Sequence, residues 1–120
     1  MKKNYTYLLL FVTILLLRAN RVQAQVDVND SLAMVALYNS TDGPNWIVNT
    51  NWLSTKPLGS WYGLTVENNR LTAVYQSGNN LNGSLPKELN NTNNLSALIL
   101  SFNKLSGKIP PEFGNFSKLY

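Results

Sequence analysis

Cysteine and histidine are both absent from this chain of 120 residues. The first absence excludes disulfides, thiolate nucleophiles and cysteine-bound metal, so the fold has to hold by packing and hydrogen bonding alone. The second removes the side chain that most often moves protons near neutral pH. Charge is also scarce, at 13% of residues. A formal net charge of +4 would suit a polyanionic partner if it were spread over the chain, but Lys2, Lys3, Arg18 and Arg21 account for it. From position 25 onward Lys56, Arg70, Lys87, Lys104, Lys108 and Lys118 balance Asp27, Asp30, Asp42, Glu67, Glu88 and Glu112. No basic patch of the kind that binds phosphate backbones is left, and nucleic acid is not an expected partner.

Nor does the N-terminal apolar run reach membrane-spanning length. Leu8 to Leu17 is ten residues long, broken only by Thr13, whereas crossing a bilayer takes about 20. Lys2-Lys3, this short core and the small-residue ending Val22-Gln23-Ala24 together read as a signal peptide over residues 1–24, cut after Ala24. The mature chain is expected to be secreted or held at the cell surface, with no membrane span of its own.

What is present is an internal repeat. Leu71, Asn79, Leu81, Gly83, Leu85, Pro86, Glu88 and Leu89 recur 24 positions later as Leu95, Asn103, Leu105, Gly107, Ile109, Pro110, Glu112 and Phe113. Both copies follow L-x-x-[VL]-x-[QL]-x-x-N-x-L-x-G-x-[LI]-P-x-E-[LF]. A third begins at Leu119. A period of 24 falls within the roughly 20–29 residues of leucine-rich solenoids. The reading is therefore residues 71–94 and 95–118 as repeats, with the array cut off after about two of them.

Upstream, residues 30–38 carry Leu32, Val35 and Ala36 at helical spacing, with Asn29 or Asp30 as cap and an end near Asn39. Asp42-Gly43-Pro44-Asn45 is turn chemistry. Trp61 to Val66 alternates like a strand, and Glu67 to Arg70 can reverse it into a second strand from Leu71. Trp46, Trp52, Trp61 and Tyr62 are expected in the core of this segment rather than on its surface. A helix plus a hairpin over residues 25–70 has the composition of a unit that covers the open apolar end of a repeat stack.

These residues resemble plant-type leucine-rich repeat proteins, through the L-x-G-x-[IL]-P turns at Leu81–Pro86 and Leu105–Pro110. The upstream Gly43-Pro44-Asn45-Trp46, Asn51-Trp52 and Trp61-Tyr62-Gly63-Leu64-Thr65 are similar to the N-terminal caps of secreted bacterial and algal members, and more loosely to those of plant receptor-kinase ectodomains. Plant caps usually carry a cysteine pair that this chain lacks. The resemblance implies an α/β solenoid with a helix-plus-hairpin cap, here an N-terminal fragment, acting as an extracellular binding module for a protein or glycan. An ectodomain fragment of a kinase-type transmembrane receptor and a surface adhesin are the alternative readings.

The family analogy places ligands on the concave strand face. With strands near 73–77 and 97–101, Val74, Leu98 and Leu100 point inward, and Ala73, Tyr75, Ser77 and Gly78 with Ala97, Ile99, Ser101 and Phe102 point outward. Tyr75, Ser77, Ile99, Ser101 and Phe102 are the candidate ligand contacts. Asn79 and Asn103 are implied to form a structural ladder that pairs backbone groups between turns. Gln76 stands where the second copy has Leu100, and is expected to be a buried amide with partners.

No catalytic residue, metal or cofactor is expected. The chain has no G-x-S-x-G nucleophile turn. Glu88 and Glu112 sit at equivalent repeat positions, with no reason for the unlike pKa values that acid and base roles require. Gly78 to Gly83 precedes Ser84 where a phosphate loop needs lysine, and the Asp27-x-Asn29 start of a calcium loop meets Leu32 and Tyr38 where glycine and a carboxylate belong. Asn29, Asn39, Asn82, Asn90, Asn94 and Asn115 each begin N-x-[ST], which matters only in a eukaryotic secretory pathway. Export gives the first test: N-terminal sequencing of secreted material should begin at Gln25, and recovery of the intact chain in membranes would oppose cleavage.

Overall fold

The computed structural model describes residues 25–119; the expected leader lies outside them. Helix α1 runs Val28–Ser40. Its cap is Asp27, whose carboxylate accepts from Asn29 N–H at 2.8 Å, and not Asn29 or Asp30. Asp30 lies inside the first turn and is fully buried. The buried stripe is Asp30, Ala33, Met34 and Leu37, the i, i+3, i+4, i+7 face of a helix. Leu32, taken from the sequence as part of the apolar face, is 58% exposed. At the C-terminus the Thr41 hydroxyl donates to the Leu37 carbonyl at 2.6 Å, which satisfies one of the free carbonyls of the last turn.

A loop built on tryptophan follows. Trp46, Trp52 and Trp61 are each at most 7% exposed. Their indole N–H groups donate to the carbonyls of Thr41, Tyr62 and Lys56 at 2.8, 3.0 and 3.3 Å. Ring centroids of Trp46 and Trp52 lie 4.7 Å apart, near-perpendicular, and those of Trp52 and Trp61 lie 5.3 Å apart. Large rings thus fill the space beside α1 without leaving a donor unpaired.

Strands β1 (Leu64–Glu67) and β2 (Arg70–Tyr75) form an antiparallel hairpin with a bulge at Thr65/Val66. The strand expected from Trp61 begins three residues later, because Leu58–Ser60 forms a 3₁₀ turn that Trp61 N–H closes onto the Leu58 carbonyl. Asn68 and Asn69 both have positive φ, 49° and 61°, as the tight two-residue turn of a right-twisted hairpin requires, and asparagine tolerates this better than most residues.

β2 pairs in parallel with the short strand β4 (Ala97–Ile99), in the register Ala73 to Ala97, Val74 to Leu98 and Tyr75 to Ile99. Every partner is therefore one repeat away, and the sheet order is β1-β2-β4. A second parallel pair, β3 (Asn82–Gly83) with β5 (Lys104–Leu105), was not expected from the sequence. Two-residue strands carry too little alternation to be read. α1 contributes to this second row: the Thr41 carbonyl accepts from Asn82 N–H at 3.0 Å. The approach is so close that a Cβ at Gly83, whose φ is 140°, would overlap the Ser40 carbonyl. Glycine is needed there on both counts.

The core runs from Ala33, Met34 and Leu37 through the tryptophans to Leu71, Val74, Leu81, Leu89 and Leu95. Beyond Leu95 no described residue is fully buried, and Leu98, Leu100, Leu105, Phe113 and Phe116 are only partly covered.

One charged contact ties the two ends of the upstream unit together. Arg70 donates to both carboxylate oxygens of Asp30, at 2.9 and 3.2 Å, and Leu71 N–H donates to the same carboxylate at 2.8 Å. The hydrogen bond that Arg70 donates to Asp30 raises the Arg70 pKa above its ordinary value; desolvation opposes this, while the charges of Asp30 and Asp27 add to it. The arginine half of the contact therefore persists at any pH below the usual arginine value and is lost only in extreme alkali. Asp30 is fully buried while the Arg70 side chain is 26% exposed, so removing the arginine strands the carboxylate, at up to about 3 kcal/mol, the low end for a buried pair. Arg70→Met should destabilise by that amount in urea melts, and Asp30→Leu added to it should recover part of the loss. Strictly additive losses would show that the two side chains act independently.

Candidate functional site

The parallel register of β2 and β4 sets Tyr75 directly beside Ile99, on the side opposite buried Val74 and half-buried Leu98. Tyr75 is 50% exposed, Ile99 41% and Phe102 89%. Ser77 and Ser101 are exposed between them, and their hydroxyls bond to each other at 2.9 Å. All five candidate contacts thus lie on solvent-facing positions of the two repeats. Ala73 does not. Assigned to the same face from its alternation, it is 6% exposed, because it sits on the middle strand between Thr65 and Ala97 and its methyl group does not rise above them.

Sequence reasoning missed Tyr62, which is 45% exposed rather than part of the aromatic core. Its carbonyl accepts from Gln76 Nε2 at 2.7 Å, and the adjacent Gly63 carbonyl accepts from Tyr75 N–H, also at 2.7 Å. The backbone of residues 62–63 therefore runs beside Tyr75 and Gln76. The signal available in the sequence was its phenol: a buried tyrosine needs a partner for its hydroxyl, and the neighbouring indoles take the nearby acceptors.

Beneath the row is a buried amide network. Gln76 is fully buried and accepts from Asn79 Nδ2 at 2.6 Å as well as donating to Tyr62. Asn79 brackets the tryptophan loop, accepting from Val48 N–H at 2.7 Å and donating to the Val48 carbonyl at 2.8 Å. One repeat on, Asn103 accepts from the N–H groups of Asn79 and Leu81 at 3.0 and 2.9 Å and donates to the carbonyls of Gln76 and Leu100 at 2.6 and 2.9 Å. Each asparagine fastens its own bend to the preceding unit.

Phe102 occupies the left-handed region, with φ of 57°. Gly78, its counterpart one repeat earlier, has φ of 62°. For a bulky L-residue this conformation is an outlier that costs about 1–2 kcal/mol, and a side chain so exposed regains little of it by packing. Among the described residues no group of three His, Cys, Asp or Glu side chains is placed to hold a metal ion.

The model of the Leucine Rich Repeat family matches residues 94–116. The chain is also similar to the crystal structure of PEPR1-AtPEP1, at 26% identity and a TM-score of 0.59 over 75% of this chain. The chain thus carries a leucine-rich repeat, matched over residues 94–116. A plant ice-binding protein shares the fold at 20% identity and a TM-score of 0.53 over 79% of the chain. The chain spans 13% of the length of the first structure and 39% of the second. No curated protein matches it.

The strain at Phe102 can be measured. Phe102→Gly should stabilise the protein by about 1 kcal/mol in urea melts, since glycine adopts positive φ without penalty. Gly78→Ala should cost a similar amount, although a methyl group there meets nothing within 4 Å. No change in either variant would show that the backbone relaxes at this bend.

Proposed function

We propose that this chain is part of an extracellular leucine-rich repeat binding module that recognises a polypeptide through the concave row Tyr75, Ser77, Ile99, Ser101 and Phe102, extended by Tyr62. Residues 25–70 serve as its N-terminal cap, and 71–94 and 95–118 are its first repeats, with a third from 119. The observation that carries this reading is the row itself: apolar and aromatic side chains of two repeats lie side by side, exposed, with no charge among them. Exposed apolar patches mark contact surfaces, and aromatic anchors commonly dominate recognition. A polypeptide suits the row better than a glycan, because the two hydroxyls already bond to each other and no carboxylate or free amide belongs to it. The likeness to PEPR1-AtPEP1 supports a partner-binding role. The leader expected over residues 1–24 supports an extracellular place for it.

Peptides selected from a displayed random library on the full chain provide the test. Tyr75→Ala and Phe102→Ala should each weaken the selected peptides by about 2 kcal/mol or more without lowering the melting temperature. Trp46→Ala, a core change, should lower the melting temperature. Unchanged affinity in both row variants would remove the concave row as the site.

A further inference from the structure

Each repeat ends in a 3₁₀ turn, Lys87–Asn91 in the first and Pro111–Asn115 in the second. Stacking of the repeats leaves a cavity of about 270 Å³ beside these turns, lined by Asn90, Asn93, Asn115, Phe116 and Ser117. It shares no residue with the concave row. The lining thus comes from three asparagines, a serine and a phenylalanine that also packs against the core, and none of the five carries a charge. The side chains of Asn90, Asn93 and Asn115 make no hydrogen bond to another group among the described residues, whereas Asn94 beside them accepts from Lys118 at 3.3 Å. The frame is held without them: Thr92 Oγ1 donates to the Leu89 carbonyl at 2.6 Å, and Phe116 packs edge-on against Phe113 at 5.2 Å.

We propose that this cavity binds one ring of a neutral sugar. A primary amide offers a carbonyl acceptor and two N–H donors in one plane, which matches adjacent sugar hydroxyls that donate and accept together. The face of an aromatic ring is electron-rich and attracts the weakly positive C–H groups along one side of a pyranose. An ionic ligand would find no counter-charge in the lining. The volume lies just under the roughly 300–1,000 Å³ of drug-sized ligand pockets, so it takes a single ring, with the rest of a longer glycan outside. This assignment stands apart from the concave-face reading.

Calorimetric titration of the full chain with glucose, galactose, mannose and N-acetylglucosamine, and with a disaccharide of each, tests it. At least one of these should bind at around millimolar affinity. Asn93→Ala and Asn115→Ala, both at exposed positions, should each weaken that sugar about fivefold or more at unchanged melting temperature, and Tyr75→Ala should leave it unaffected. Absence of saturation by every sugar, or full affinity in both asparagine variants, overturns the proposal. Loss of sugar binding in Tyr75→Ala alone overturns it too, and places the sugar on the concave row instead. A covalent glycan found by mass spectrometry on Asn90 or Asn115 overturns it by a third route, since the amide would already be consumed.

Discussion

A chain that winds back on itself every 24 residues leaves backbone N–H and C=O groups at its bends that its two short sheets do not pair. Buried and unpaired, each would cost on the order of 1–3 kcal/mol. Here the deficit is met by side-chain amides at a fixed offset. Asn103 serves Asn79 and Leu81 of the preceding repeat, and Asn79 serves Val48 of the tryptophan loop. The loop thus presents its backbone to Asn79 much as a repeat would. That equivalence allows a unit with no leucine pattern of its own to continue the stack, and it explains why Gln76 is kept where a leucine would otherwise sit: its amide bridges Tyr62 and Asn79.

How much of this was legible depended on the reach of each interaction. The repeat was plain, because leucines at fixed spacing register the same core demand twice, and the buried Leu71, Leu81, Leu89 and Leu95 occupy those positions. The hairpin was legible through Asn68-Asn69, a local turn signal. Asp30 was not. Read locally it is a helix cap; its burial makes sense only with Arg70, 40 positions away, and no local pattern encodes that pairing. Ala73 failed in a related way, since alternation tells which side a residue faces but not whether its neighbours overtop it. Tyr62 was grouped with tryptophans by aromaticity although its phenol set it apart.

The exposed surface divides by chemistry. Along the strand row the side chains are apolar or, for Ser77 and Ser101, paired with each other, so a partner held there as proposed would be held by shape and buried area. Beside the 3₁₀ turns the lining is asparagine, serine and phenylalanine, so a sugar held there as proposed would be held by directed hydrogen bonds. Neither region relies on ionised groups. Binding at either is accordingly expected to be insensitive to salt, in contrast to recognition steered by charge.

Burial falls off along the chain, from fully enclosed side chains around α1 and the tryptophans to half-covered ones after Leu95. In a stack where each unit touches only its neighbours, stability is shared out unit by unit, and among the described residues the upstream unit holds the larger share of buried side chains. Phe102 lies on the less buried side of this gradient, so its left-handed bend presses on few packed neighbours.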